Sequence, residues 1–150
     1  MLSINTPAPA FSLPDEDSVI HTLEQYRGKK ILLYFYPKDD TPGCTKEACV
    51  IAEVYKDFSA KGVVVLGVSK DSPKSHKRFK EMYHLPFTLL SDQEGDVIDA
   101  YGAWQNKSMF GRSFMGIARI SYLIDADGTI VKVYPNVDPA THAFEILKDI

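Results

Sequence analysis

The chain has 150 residues, 45% of them hydrophobic and 25% charged, with 17 basic against 20 acidic side chains and a net charge of −3. These proportions fit a single globular domain over residues 1–150, which can bury about two-thirds of its unfolded surface without a metal or disulfide to hold it. They argue against a nucleic-acid binder built on clustered Lys and Arg. A membrane-spanning chain is excluded too, since no run reaches the roughly 18–20 apolar residues required.

The elements follow from hydrophobic pattern and punctuation. Asn5 to Pro14 carries Pro7, Pro9 and Pro14 and reads as an extended arm or edge strand. Ile31 to Tyr36 and Val63 to Val68 are continuous apolar runs of strand length, expected as central strands buried on both faces. Between them Cys44, Ala48, Ile51, Tyr55 and Phe58 recur every three or four residues, which predicts one helix stopped at Gly62. Ser72-Pro73 opens a second helix, Ser as N-cap and Pro at the first helical position, ending before Pro86. The cluster Lys74, His76, Lys77, Arg78, Lys80 on it is expected to be a solvated face. Thr88 to Leu90 predicts a short strand and Glu94 to Tyr101 a short helix. Trp104 to Met115 carries Trp104, Met109, Phe110, Phe114 and Met115, an apolar rim or a contribution to the core. Arg119 to Ile124 and Thr129 to Val133 flank the turn residues Asp125 to Gly128 and predict a hairpin. Asp138-Pro139 opens a last helix with Ala143, Ile146 and Leu147 facing inward. The order is that of an α/β layered domain with a mixed sheet.

The two cysteines, Cys44 and Cys49, lie where the first central strand hands over to its helix. Met1 to Pro9 has no basic segment followed by an apolar run, so no secretory leader is expected and the cytoplasm is the expected compartment. In a reducing compartment a transient catalytic disulfide fits better than a permanent one. Pro42 suits the first helical position and places Cys44 in the first turn, among unsatisfied backbone N–H groups at the positive end of the helix dipole. Both favour thiolate, the nucleophilic form, over thiol. A thiolate attacking an O–O bond needs donors for the departing oxygen. The Thr41 hydroxyl and the Cys44 N–H are local candidates, while a guanidinium has to come from elsewhere in the chain. Thr41 also suits the N-cap, and Glu47 suits the helix dipole. Cys49 is five residues on, which in an ideal helix is about 140° around the axis and roughly 8–9 Å between Cα atoms, beyond the limit of about 7 Å for a disulfide. Either the two are independent or the first helical turns unwind for them to meet. The four His residues (His21, His76, His84, His142) have no motif around them, and His84 reads as a helix cap. No zinc site is expected from this spacing.

Pro37-x-x-x-Thr41-x-x-Cys44 resembles the peroxiredoxin active-site pattern. The longer run Leu33 to Cys49 is similar to the bacterioferritin comigratory protein, or peroxiredoxin Q, subfamily. The likeness runs from Ala8–Pro14 to Arg119–Asp125 and includes Tyr101-Gly102-Ala103-Trp104 and Gly116-Ile117-Ala118-Arg119. Ser121 and Ser18 stand where Thr and Gly are usual. The resemblance implies a thioredoxin-like fold, a mixed central sheet flanked by helices with an N-terminal extension. It implies Cys44 as peroxidatic and Cys49 as resolving cysteine, Thr41 and Arg119 as groups that orient and polarise the peroxide, Pro37 as a shield, and Glu47 beside the Arg. The implied partners are a hydroperoxide and a dithiol reductant such as thioredoxin. No cofactor or metal, no nucleic acid and no membrane is implied, and the expected state is a monomer, at most a weak dimer. The alternatives are a general thiol–disulfide oxidoreductase, disfavoured by the lack of C-x-x-C, and a peroxide-sensing redox switch.

Overall fold

A computed structural model describes residues 1–150. The chain forms nine strands and five helices. β1 (Ser12–Pro14) and β2 (Ile20–Thr22) form an N-terminal antiparallel hairpin, followed by a 3-10 turn at Glu24–Tyr26. β3 (Lys30–Phe35) leads into α1 (Pro42–Glu53) and α2 (Tyr55–Ala60), and the chain returns as β4 (Val63–Ser69). Then come α3 (Pro73–Tyr83), β5 (Thr88–Ser91) and α4 (Asp96–Ala100). A hairpin of β6 (Trp104–Met109) and β7 (Arg112–Ile117) precedes β8 (Ser121–Ile124), β9 (Ile130–Tyr134) and α5 (His142–Asp149).

The central sheet has the order β5-β4-β3-β8-β9, with β3, β4 and β5 parallel and β8 and β9 antiparallel to their neighbours. The mixed sheet expected from the element order is therefore present. Its middle strand alternates between two cores. Ile31, Leu33 and Phe35 point into one, with Phe11, Ile98 and Tyr122. Leu32, Tyr34 and Tyr36 point into the other, beneath α1, α2, α3 and α5, and Cys44 belongs to this second core. Burial on both faces explains why β3 and β4 are unbroken apolar runs. Gly67 of β4 is fixed by packing, since a Cβ there would sit 2.9 Å from the Tyr34 ring and from Leu89.

Two expectations change, and of the two readings of Trp104 to Met115 the core one falls. The single helix over Cys44–Phe58 is two, because Val54 leaves helical geometry at φ −108° and ψ 13°. The basic face of α3 is not wholly solvated: His76 is fully buried. Trp104 to Met115 lies mostly in the β6–β7 hairpin, whose Met109, Phe110, Phe114 and Met115 are exposed and not part of the core. No helix is long and apolar enough to cross a membrane.

Candidate active site

The loop from β3 to α1 is set by a buried polar network. Tyr36, the residue after β3, donates its hydroxyl to Asp39 Oδ1 at 2.5 Å. Asp39 Oδ2 accepts from Ser75 Oγ at 2.8 Å and lies 2.7 Å from His76 Nδ1, while His76 Nε2 lies 3.0 Å from the Leu90 carbonyl. The Asp39 N–H donates to Asp71 Oδ2, and Tyr83 donates to Asp40 Oδ1, at 2.9 and 2.7 Å. Every side-chain polar atom of Asp39 and His76 is thereby engaged, and the loop is tied to α3 and to the ends of β4 and β5. Asp39, Asp71 and His76 are grouped closely enough to hold a cation, but the hydrogen bonds within the cluster already satisfy them. Neither Asp39 nor His76 sits in a sequence motif that marks this role. The position of His76 inside a basic stretch hid it.

That loop delivers Thr41 and Pro42 to the start of α1. Thr41 stands at the N-cap with extended backbone, φ −100° and ψ 154°, but its hydroxyl does not cap the helix. It donates to the Lys38 carbonyl at 2.8 Å instead. Pro37, half-buried, lies between β3 and α1. Cys44 falls in the first helical turn, as expected, and is 2% exposed. Cys49 is on the same unbroken helix, half-buried, and both thiols are free. Burial, then the neighbouring Glu53 carboxylate, pushes the Cys49 thiol up.

The missing guanidinium arrives from 75 residues further along. Arg119, in the segment between β7 and β8, points Nη2 at Cys44 Sγ at 3.2 Å and donates from Nη1 to Glu47 Oε1 at 3.1 Å. Gly43 makes room for it: a Cβ there would sit 2.6 Å from Nη2. The carboxyl of Glu47 is buried, and burial pushes it up to about 7 against the pull of Arg119. Its Oε2 lies 3.4 Å from Nδ1 of His142 without forming a hydrogen bond, and both ring nitrogens of His142 are unpartnered. Burial holds the imidazole of His142 down to about 4. Lys107 donates from Nζ to the Ile117 carbonyl at 2.6 Å; burial and then Arg119 lower it, while Cys44 raises it. Beside Arg119 a surface hollow is lined by polar groups including Gln105, Asn106 and Ser108. The structure thus brings Cys44, Glu47 and Arg119 into contact. His142 and Lys107 join them, although no sequence motif marks either.

A buried sulfur at a helix start, faced by a guanidinium held by a buried carboxyl, has the components for attack on a polar O–O bond. Residues 4–133 match the AhpC/TSA family model. The chain belongs to the peroxiredoxins. It is 45% identical to peroxiredoxin Bcp of Escherichia coli over 135 residues, covering 90% of this chain and 86% of that one. It is 40% identical to peroxiredoxin Bcp of Bacillus subtilis over 149 residues, covering 99% and 95%. A cysteine-to-serine mutant of Xylella fastidiosa peroxiredoxin Q superposes with a TM-score of 0.93 at 31% identity, covering 99% of this chain and 95% of that one. The Xanthomonas campestris bacterioferritin comigratory protein, described in connection with its alkyl peroxide reduction activity, gives 0.91 at 32% identity, covering 98% and 96%. This peroxiredoxin shares their thioredoxin-like fold, and its place in the Bcp and peroxiredoxin Q branch agrees with the resemblance read from the Pro37–Cys49 segment.

Proposed function

We propose that this peroxiredoxin works as a single thioredoxin-like domain that reduces hydrogen peroxide and organic hydroperoxides through Cys44. The observation that carries the assignment is the 3.2 Å contact between Arg119 Nη2 and Cys44 Sγ, since a fixed cation there stabilises negative charge on the attacking sulfur and later on the departing oxygen. The thiolate attacks the terminal peroxide oxygen. The S–O bond forms and the O–O bond breaks, and the released oxygen anion takes up a proton to leave as water or alcohol. Arg119 and the Cys44 N–H stabilise the developing charge, Thr41 orients the peroxide from the N-cap, and Pro37 shields the reacting sulfur. Glu47 holds the guanidinium.

Cys49 then attacks the sulfenic acid of Cys44, expelling water and forming a disulfide. A dithiol protein such as thioredoxin, or a glutaredoxin, reduces that disulfide by exchange. The raised Cys49 thiol supports this division of labour, since it makes Cys49 the weaker first nucleophile. Cys44 and Cys49 share an intact α1, so the roughly 8–9 Å between Cα atoms five apart must shrink below about 7 Å by unwinding of its first turns. We place the cycle in the cytoplasm, in a monomer or weak dimer.

Stopped-flow oxidation of reduced protein by hydrogen peroxide tests the assignment. Cys44→Ser should abolish the reaction. Cys49→Ser should consume one equivalent and leave a dimedone-trappable sulfenic acid. A Cys44→Ser variant within about tenfold of wild type would overturn the reading. Hydrogen exchange on the reduced and disulfide forms should show protection lost at the start of α1 in the latter.

A further inference from the structure

His142, the first residue of α5, has no part in the steps above. Its ring is 1% exposed and neither nitrogen has a hydrogen-bond partner. Nδ1 faces Glu47 Oε2, the oxygen that Arg119 leaves free, which has no partner either. A buried polar atom left unpaired costs about 1–3 kcal/mol, so these facing groups have reason to close on each other. A carboxyl and an imidazole so placed can satisfy both through one proton. At lower pH it is held as a carboxylic acid donating to bare Nδ1 of the Nε2–H tautomer; when the pair gives up one proton to solvent from Nε2, it is held as Nδ1–H donating to the carboxylate.

The surroundings give that proton a consequence. The groups near the pair are Cys44 on α1, Arg119 before β8, Tyr34 on β3 and Tyr134 on β9, whose ring meets His142 edge-on at 6.2 Å. Lys107 on β6 adds to the field at Arg119 and Cys44. Arg119 is one cation between two acids, the Cys44 sulfur and the Glu47 carboxyl. With the proton on the carboxyl, the thiolate has the guanidinium charge to itself. With the proton on His142, thiolate and carboxylate share it.

We infer that His142 is a positioning residue for the peroxide reaction: through a proton shared with Glu47 it holds the buried carboxyl against Arg119 and sets how the guanidinium divides between that carboxyl and the Cys44 sulfur. The inference rests on Cys44 being the peroxide-reactive thiol. The opposite displacements of the two groups fit it, because the carboxyl, raised to about 7, keeps a proton that the imidazole, lowered to about 4, gives up.

Nuclear magnetic resonance of reduced, isotope-labelled protein tests the shared proton without reference to activity. The Glu47 carboxyl carbon and His142 Nδ1 should titrate with one midpoint, Nδ1 gaining its proton as Glu47 ionises. Above the range near 4 where the imidazole takes up its second proton, separate midpoints for the two signals, or an Nδ1 signal that does not move, would overturn the pair. Stopped flow tests the positioning. His142→Phe should slow Cys44 oxidation about tenfold, while His142→Asn, which can still donate to or accept from Oε2, should stay within about threefold of wild type. A folded His142→Phe at the wild-type rate would overturn the positioning role. A peroxide-reactive Cys44→Ser would instead show that the reading of Cys44 had failed, and the two titrations would stand unaffected.

Discussion

Two buried carboxyl–histidine pairs flank the start of α1, and they are built differently. Asp39 and His76 are saturated: both carboxylate oxygens and both ring nitrogens have partners, supplied by Tyr36, Ser75 and Leu90. Glu47 and His142 are left short, with one carboxyl oxygen and both ring nitrogens unpartnered. A satisfied buried network fixes geometry, whereas an unsatisfied one leaves protons and charges free to move. The first pair belongs to the frame that delivers Thr41 and Cys44. The second touches Arg119, which touches the sulfur. Rigidity and chemical poise are thus assigned to separate pairs near one helix end.

The largest expected effect breaks the frame. Asp39→Ala leaves Tyr36, Ser75 and His76 without the carboxylate they share, and each buried polar group left unpaired costs about 1–3 kcal/mol. Urea unfolding of the reduced protein should show that loss. Removal of the guanidinium fork should act on rate and spare stability. Arg119→Lys keeps a charge but not the two directed bonds, and losing one well-placed donor raises a barrier by about 2.7–4 kcal/mol, a rate loss of a hundredfold or more. Wild-type peroxide reactivity in a folded Arg119→Lys protein would contradict the site.

Finer predictions concern the unsatisfied pair. Glu47 is raised from 4.5 to about 7, so the stability it contributes is present at low pH and lost as pH rises toward about 7. His142 is lowered from 6.5 to about 4, so its contribution is present above the ordinary imidazole range and lost as pH falls toward about 4. The two slopes oppose each other in wild type. Glu47→Gln should therefore gain stability relative to wild type as pH rises through this window, and His142→Phe should lose it, each by about 1–3 kcal/mol. Parallel curves would show that neither group titrates as described. The smallest effect is at Gly43. Gly43→Ala should favour α1 by up to about 1 kcal/mol, yet its methyl would meet Arg119 Nη2. A melting temperature unchanged or slightly raised, with peroxide reactivity lowered about tenfold, is the expected signature.

Much of this was legible in the sequence, for reasons that can be named. β3 and β4 are runs buried on both faces, and the Thr41-Pro42-Gly43-Cys44 start has no packing rationale, so strand, helix start and thiol were readable. The need for a distant guanidinium followed from its absence near Cys44, and only the resemblance pointed to Arg119. The β6–β7 hairpin was not legible because its turn is Phe110-Gly111, with φ of 52° and 77°. A two-residue turn of this hand is signalled by Asn-Gly or Asp-Gly, and Phe is an uncommon residue there. The α1–α2 break was hidden because Tyr55 and Phe58 keep the helical phase across Val54. His76 and His142 carry no local signal, since their partners Asp39 and Glu47 are distant in sequence.

Arg119 lies 75 residues beyond Cys44. During synthesis, with the amino-terminal half emerging first, the thiol exists before the group that faces it. A ribosome-bound chain that stops short of β8 holds Cys44 without the guanidinium that faces it. Only when β8 inserts beside β3, at the pairing of Ile31 with Ile124 through Tyr34 with Ser121, is the guanidinium brought to the sulfur. The arginine's share of the reactivity is therefore acquired late, and an incomplete chain meets an oxidant without it.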